Sequence, residues 1–225
     1  MPGLNFWIFF LLKKPLLAFL SLLCVLNLAA QKPFTPSTYL GITAGGAFSR
    51  VGFTPTVKQN ILAANSFGAM FRHVSEPHIG VQIEFNYAGR GWTENRDSLG
   101  NYTRNLTVLD IPFTAVFIIG SKKLRFAINL GPDITYLLHN KEKISIIDTA
   151  YNKGYYGKPM TQTWSFGFNG GVSIEWYSRF GTFAIRASYC YMLTNYFPLN
   201  SDVFYYQESQ SQTLNIGVSY FIKLF

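Results

Sequence analysis

Hydrophobic and polar residues alternate along most of the chain after residue 31, with the period of two that is typical of β-strands. The segment His78–Trp92 shows the pattern clearly. Isoleucine, valine, phenylalanine and tyrosine occupy every second position from Ile79 to Tyr87, and glycine, glutamine, glutamate and asparagine occupy the positions between them. The same alternation recurs in Thr163–Trp176 and Thr213–Leu224. No run of 18 apolar residues follows residue 31, so the sequence predicts an all-β domain without helical membrane spans.

Eight alternating segments can be drawn, each long enough to cross a membrane as a tilted strand. They are Thr38–Arg50, Asn65–His73, His78–Trp92, Leu106–Ile119, Leu124–Leu138, Thr163–Trp176, Thr182–Met192 and Thr213–Leu224. Segments of about ten residues with this dyad repeat are the signature of transmembrane barrels. The pattern predicts an eight-stranded antiparallel up-and-down transmembrane β-barrel.

The connections between these segments alternate between long and short. The short ones are Val74–Pro77, Gly120–Lys123 and Tyr177–Gly181, and the long ones are Val51–Ala64, Thr93–Asn105, His139–Gln162 and Leu193–Gln212. Outer-membrane barrels have short periplasmic turns and longer external loops. We therefore expect a location in the outer membrane of a Gram-negative bacterium, with both ends of the barrel chain in the periplasm.

Six charged residues within the segments lie on the face that carries small and polar side chains: Glu84, Asp110, Arg125, Glu175, Arg186 and Lys223. A basic residue on the lipid face costs about 2–4 kcal/mol near mid-membrane, so the apolar face is expected to point outward. An eight-stranded barrel is just wide enough inside for side chains. The six residues are thus predicted to form a structural charge network that plugs the lumen; a proton or ion path is the alternative.

Two local features are expected to shape the barrel. Pro112 lies inside the fourth segment and lacks a backbone N–H, which predicts a β-bulge near Asp110–Pro112. Aromatic residues near segment ends suit girdles at the two membrane interfaces. The candidates for these girdles are Tyr39, Trp92, Trp164, Trp176, Tyr177, Tyr189 and Tyr191.

The first 30 residues have the features of a secretory signal peptide. Lys13 and Lys14 precede the apolar run Leu16–Ala30, which is too short for a typical membrane-spanning helix and ends in small residues. We expect cleavage after Ala30, which divides the chain into a signal peptide (1–30) and an outer-membrane barrel domain (31–225). Leu28 is larger than the residue preferred at its position, and an uncleaved anchor is the alternative.

Composition agrees with a membrane barrel and argues against other classes. Hydrophobic residues make up 48% and charged residues 13% of the chain, whereas soluble domains carry about 25% charge. The mean hydropathy of +0.13 is too low for a bundle of membrane helices. The net charge is +8, but the basic residues are scattered, and nucleic-acid binding would normally cluster them.

The sequence contains no recognisable catalytic or metal-binding motif, so neither a cofactor nor a metal is expected. His73 and His78 flank a short turn, where ordinary exposed histidines are commoner than a metal site. Cys24 lies in the leader, which leaves Cys190 as the only cysteine of the mature chain and excludes an internal disulfide. Cys190 is expected to face inward as a packing residue.

Two stretches resemble the PorT-like outer-membrane β-barrel family of Bacteroidetes. Leu109–Phe117 (LDIPFTAVF) is similar to the family's apolar–acidic–Ile-Pro strand, and Phe126–Leu138 (FAINLGPDITYLL) is similar to the strand that follows it. The leader exit Ala29-Ala30-Gln31 also resembles that of exported proteins in this group. The resemblance covers roughly residues 31–225 and implies an outer-membrane location and eight strands. The best-known members of the PorT-like family assist type IX secretion and gliding. One departure concerns Phe225, because barrel-assembly signals prefer a terminal phenylalanine. The alternation of the last segment puts Phe225 on the same face as Lys223 and not on the apolar face of Leu224.

These observations predict a non-enzymatic outer-membrane barrel that acts as a scaffold, a surface for interactions or a secretion accessory. Expected partners are membrane lipid, the barrel-assembly machinery during insertion, and a protein or polysaccharide at the external loops. One alternative is a secreted lipocalin-like binder, which would bury its apolar face and expose its charged one. Another is a barrel enzyme assembled from distant strands.

Overall fold

The computed structural model describes residues 34–95, 100–120, 123–146, 156–157, 160, 162–197 and 208–224. The predicted signal peptide, its cleavage site and Phe225 lie outside these residues. None of the described residues belongs to a helix with the length and hydropathy that a membrane span requires.

Eight antiparallel strands form one closed sheet in which each strand pairs with its neighbours in sequence and β1 also pairs with β8. The strands are β1 (Ser37–Thr54), β2 (Leu62–Glu76), β3 (Ile79–Asn95), β4 (Gly100–Ile119), β5 (Leu124–Ile146), β6 (Trp164–Ser178), β7 (Gly181–Asn195) and β8 (Glu208–Lys223). Every predicted segment coincides with one of these strands. The predicted up-and-down eight-stranded barrel is therefore confirmed.

Several strands run farther than predicted at the end of the barrel opposite the short turns, which we call the external end. β4 begins at Gly100 rather than Leu106, and β5 continues to Ile146, so that His139 lies within a strand and does not open a loop. The predicted long connection Thr93–Asn105 is mostly paired strand, with Asn95 opposite Asn101. The alternation of apolar residues stops before these positions, which is why the sequence indicated loops there.

Side-chain exposure confirms which face of the sheet is apolar and outward. Ile185, Val218 and Phe168 are between 55% and 65% exposed on the outer surface, whereas Glu84 and Glu175 are at most 2% exposed inside the barrel. A lipocalin-like barrel requires the opposite arrangement, so that alternative is wrong. Only lipid or another apolar phase can cover so continuous an apolar exterior.

The β-bulge predicted near Asp110–Pro112 is wrong. Pairing between β3 and β4 keeps one register on both sides of Pro112, as Ile83 opposite Phe113 and Asn86 opposite Asp110 show. The proline therefore interrupts the ladder without inserting a residue. The register instead shifts between β4 and β5 at Thr107/Val108. Bulges are common at barrel rims, and this one lies where the outer face changes from apolar to polar.

The expected aromatic girdle is only partly present. Trp164, Trp176 and Tyr189 are between 46% and 54% exposed on the outer face, as a girdle requires. Trp92 is fully buried inside the barrel, and the hydroxyl of Tyr177 bonds to a lumen carboxylate. The girdle interpretation of Trp92 and Tyr177 is therefore wrong: both share the inward parity of their strands. Tyr39 is also half-buried against interior residues.

We expect Ile185→Arg to destabilise the barrel by about 2–4 kcal/mol, because it places a cation on the lipid-facing surface. Ile185 is 65% exposed there. The free energy of unfolding, measured by urea titration in phospholipid vesicles, checks this, with Ile185→Leu as the matched control. Equal stability of the arginine variant and the control would contradict the orientation of the sheet.

Candidate functional site

At the end of the lumen near the short turns, Arg72 and Glu175 form a buried ion pair. Arg72 Nη1 donates to Glu175 Oε1 at 2.7 Å, and both residues are at most 3% exposed. The hydroxyls of Ser173 and Tyr177 also donate to this carboxylate, at 3.2 and 2.9 Å. A buried carboxylate is tolerated only when it is paired and hydrogen-bonded, and Glu175 meets both conditions.

Glu84 forms the centre of the next layer of the lumen. Arg186 donates to both of its carboxylate oxygens, at 2.6 and 2.9 Å. Gln82 and Asn86, which flank Glu84 on the inward face of β3, donate to the same oxygens at 2.6 and 2.9 Å. Gln82 also accepts a bond of 2.6 Å from Arg72 Nε. The two ion pairs therefore belong to one network that crosses the barrel.

A third ion pair lies closer to the external end. Arg90 Nη2 donates to Asp110 Oδ2 at 2.7 Å, and the Thr135 hydroxyl donates to the other oxygen of Asp110, also at 2.7 Å. Nearby, the Cys190 thiol donates to Asp133 Oδ2 at 3.0 Å. As predicted, Cys190 faces inward and is buried.

Four of the six predicted network residues, Glu84, Asp110, Glu175 and Arg186, lie inside the barrel and form ion pairs. Only Glu84 and Arg186 pair with each other. The partners of the other two acids are Arg72 and Arg90, which were not among the predicted residues. The alternation of each strand could have identified them. Each arginine lies an even number of residues from inward-facing positions of its own strand, so its side chain is also expected to point inward.

The other two predicted residues lie at the end of the barrel near the short turns. Lys223 is exposed at the rim, so its assignment to the lumen is wrong, because β8 ends there. Arg125 is half-buried, with its guanidinium carbon 4.0 Å from the ring centre of Tyr177. It also lies opposite Glu175 in the β5–β6 ladder. Arg125 therefore borders the network through Tyr177.

Side chains fill most of the described lumen. A cavity of about 30 Å³ lies among Glu84, Asp110, Asn169 and Arg186, and one of about 10 Å³ lies beside Arg72 and other polar residues. The larger cavity has room for about one or two water molecules. A charge network with such small gaps holds the strands together across the barrel.

Apolar side chains close the external end of the lumen. The group, here called the mouth cluster, comprises Val51, Phe53, Val57, Ala88, Trp92, Tyr102, Leu106, Val108, Tyr196 and Phe197. Trp92 contacts Phe53 and Phe197 edge to face, with ring centres 5.4 and 6.4 Å apart. Tyr196 follows β7, outside the spanning strands, and its burial raises the pKa of its phenol. These contacts give the barrel a small aromatic core above the ion pairs.

Residues of the β5–β6 and β7–β8 connections pack against the mouth cluster. Tyr156, between β5 and β6, stacks on Tyr102 at 4.3 Å, and its hydroxyl donates to Glu94 at 2.9 Å. The backbone N–H of Gly157 donates to Glu142 at 3.1 Å. Phe197, between β7 and β8, is 2% exposed. These connecting segments are therefore held against the barrel by specific contacts.

The external ends of β3, β4 and β5 form a ribbon whose outward surface is polar. Thr103 lies opposite Lys143, and Asn105 lies opposite Lys141. We call this surface the ribbon face, and it consists of Asn101, Thr103, Asn105, Lys141, Lys143 and Ser145. It begins beyond the register shift at Thr107 and continues the outward row of the lipid-facing residues. These polar residues lie beyond the apolar part of the outer surface.

No group of histidine, cysteine, aspartate and glutamate residues suited to a metal ion occurs in the described part of the chain. The two histidines near the β2–β3 turn make separate contacts. His73 Nδ1 lies 3.0 Å from the Thr38 hydroxyl, and His78 Nδ1 donates to the Ile118 carbonyl at 2.9 Å. His73 therefore links β2 to β1, and His78 links the β2–β3 turn to β4.

Comparison with known proteins places the sequence among outer-membrane barrels. The profile of the family described as outer membrane protein β-barrel domain matches residues 29–198. No curated protein is significantly similar in sequence. Ail of Yersinia pestis is 15% identical, with 82% of this chain and 98% of that chain covered and a TM-score of 0.43. The Neisserial surface protein NspA is 10% identical, with 83% of this chain and 99% of that chain covered and a TM-score of 0.45. Escherichia coli outer membrane protein W is 16% identical, with 82% of this chain and 97% of that chain covered and a TM-score of 0.42.

We expect Arg72→Met to cost about 3–5 kcal/mol, because it leaves the Glu175 carboxylate buried without its cation. The double variant Arg72→Met/Glu175→Gln is expected to recover most of that loss. Urea unfolding in vesicles measures all three stabilities, with Glu175→Gln completing the cycle. Losses that simply add in the double variant would show that the two side chains do not stabilise each other.

Proposed function

The chain belongs to the outer membrane protein β-barrel domain family, and from this premise we propose that it is a non-enzymatic scaffold with an external binding surface. The protein is located in the outer membrane, where lipid covers its apolar exterior. The ribbon face and the adjoining connections form the proposed surface. A protein or a surface polysaccharide is the proposed partner.

The observation that carries this proposal is the contrast between the two parts of the barrel. Ion pairs and the mouth cluster fill the lumen, whereas the strands continue past the apolar band to present the ribbon face. A rigid framework that positions exposed connections is a common arrangement for recognition. Contacts such as the Tyr156–Tyr102 stack reduce the ordering cost that binding otherwise carries.

The composition of the ribbon face suits a hydrophilic partner. Lys141 and Lys143 are exposed on β5, two residues apart and on the same face. They lie opposite the amide of Asn105 and the hydroxyl of Thr103 on β4. Lysine supplies a mobile cation, and threonine and asparagine supply donors and acceptors. These groups fit acidic side chains, or the hydroxyl and carboxylate groups of a polysaccharide.

The bonding of the interior supports a structural rather than a catalytic role. Glu84 accepts bonds from three side chains, and the Cys190 thiol donates to Asp133. A catalytic nucleophile needs a neighbouring base and access for its substrate. The cavity beside Glu84, of about 30 Å³, has room for about one or two water molecules.

A secretion-accessory role is a more specific form of the same proposal. It rests on the resemblance of Leu109–Phe117 and Phe126–Leu138 to PorT-like barrels. The ribbon face would then contact a secreted protein or another component of the type IX machinery. We also propose that the barrel-assembly machinery inserts the chain, as it does for outer-membrane barrels generally.

Deletion of the gene followed by complementation tests the proposed surface. We expect Lys141→Ser/Lys143→Ser to assemble in the outer membrane yet to restore cell attachment, motility or protein secretion less than half as well as wild type. The matched control is Lys223→Ser, which removes an exposed cation at the opposite end of the barrel. Heat-dependent migration in SDS verifies that each variant has folded.

Full complementation by the double lysine variant would contradict the ribbon face as the binding surface. Normal secretion and motility in the deletion strain, together with altered attachment, would exclude the secretion-accessory form and retain the adhesion form.

A further inference from the structure

An apolar groove interrupts the outer surface of the barrel across β5, β6, β7, β8 and β1. Its lower part has a volume of about 550 Å³ and is lined by Ile42, Ala44, Trp176, Phe183, Val218 and Tyr220. A second hollow of about 450 Å³ shares Ile174 and Ile185 with it. Ala187 also lines this hollow, together with Ile119, Phe126 and Ile128 of β4 and β5. The small side chains of Ala44 and Ala187 are among the lining residues.

The groove begins at the end of the barrel near the short turns. Trp176, Phe183 and Tyr220 lie side by side in consecutive strands, with ring centres 6.0 and 4.8 Å apart. The Tyr220 hydroxyl donates to the Phe180 carbonyl in the β6–β7 turn at 2.6 Å. Short turns mark the periplasmic side, so this aromatic row lies at the periplasmic interface.

The length of the groove suits one leaflet of the membrane. From Trp176 to Val172 the strand advances four residues, which is about 14 Å along the strand and, with a tilt of about 40°, about 11 Å along the membrane normal. The apolar band of an outer-membrane barrel is about 25 Å tall. The groove therefore extends from the periplasmic interface to about the middle of the membrane.

Cations surround the periplasmic end of the groove. Lys123 directly precedes the groove residue Leu124, and its carbonyl accepts the Tyr177 N–H at 2.7 Å. Arg179 lies in the turn between Trp176 and Phe183, with its guanidinium carbon 4.7 Å from the Phe180 ring centre. Both basic residues are exposed, as is Lys223 at the end of β8. Among the described residues of β5–β8 and their short turns, no acidic side chain is exposed at this end.

We propose that this groove binds a phospholipid of the periplasmic leaflet that carries an anionic headgroup. An acyl chain lies on Ala44 and Ala187, and the glycerol region contacts the aromatic row. The phosphate and the anionic headgroup lie near Lys123 and Arg179. Aromatic and basic side chains at a membrane interface are suited to these two parts of a lipid.

Charge complementarity favours this lipid over a second copy of the chain. A two-fold contact through the same face would bring Lys123, Arg179 and Lys223 toward their own copies, and like charges in close contact are unfavourable. A zwitterionic lipid fits the groove but leaves the cations without net negative charge. Each basic residue near a membrane surface favours anionic lipid by about fivefold.

Quenching of tryptophan fluorescence by brominated lipids tests the proposal directly, because Trp176 lies in the groove. The full chain carrying Trp7→Phe and Trp164→Phe is reconstituted in dioleoylphosphatidylcholine vesicles that contain dibrominated phosphatidylglycerol or dibrominated phosphatidylcholine. Trp92 is fully buried and serves as an unquenched background. We expect phosphatidylglycerol to be preferred at Trp176 by about 25-fold, which is about fivefold for each of Lys123 and Arg179.

Two further variants distinguish the headgroup site from the acyl groove. Lys123→Gln/Arg179→Gln is expected to reduce the preference to less than twofold, whereas Lys141→Gln/Lys143→Gln at the other end leaves it unchanged. Ala44→Phe, which fills the groove with an apolar group, is expected to weaken quenching by both brominated lipids.

Equal quenching by the two brominated lipids in the parent protein would overturn the proposal. Retention of the preference in Lys123→Gln/Arg179→Gln would do the same. If neither lipid quenches Trp176 and the chains cross-link as dimers, a second copy occupies the groove instead. These outcomes do not depend on the ribbon face, so the external binding surface is tested separately.

Discussion

Closure of the backbone hydrogen-bond ladder is the constraint on which the structure depends. A bilayer offers no water to unpaired N–H and C=O groups, so a sheet can span it only without open edges. Pairing of β1 with β8 meets this requirement. Once the sheet closes, every spanning strand must present alternate residues to lipid and to a narrow lumen. The apolar exterior and the charged interior are two consequences of that geometry.

The narrow lumen accounts for the way in which charge is used. Arg72, Glu84, Glu175 and Arg186 would each be costly to bury alone, but hydrogen bonds join them across the barrel. Apolar residues could fill the same volume, and buried ion pairs are not in general the most stable choice. Pairing between distant strands does, however, penalise any register that separates the partners. The network therefore contributes specificity to barrel closure.

The two ends of the barrel differ in what they present. At the external end, strand pairing continues past the membrane and supports the ribbon face, while the mouth cluster holds Tyr156 and Phe197. At the periplasmic end, the turns are short and carry Lys123 and Arg179 beside an aromatic row. We thus propose that a partner binds at the external end and an anionic lipid at the periplasmic end. Side chains fill the interior between these two ends.

The sequence by itself determined the number of strands, their order and the face that meets lipid, because alternation with period two is a local property. It also determined that Glu84, Asp110, Glu175 and Arg186 point inward. Only the tertiary structure decided that Glu175 pairs with Arg72, 103 residues away, and that Trp92 closes the mouth. Such contacts depend on how the strands are staggered when the sheet closes. The continuation of β5 to Ile146 could not be predicted from the alternation of apolar residues. Outside the membrane, a paired strand does not need an apolar face, so the alternation ends before the strand does.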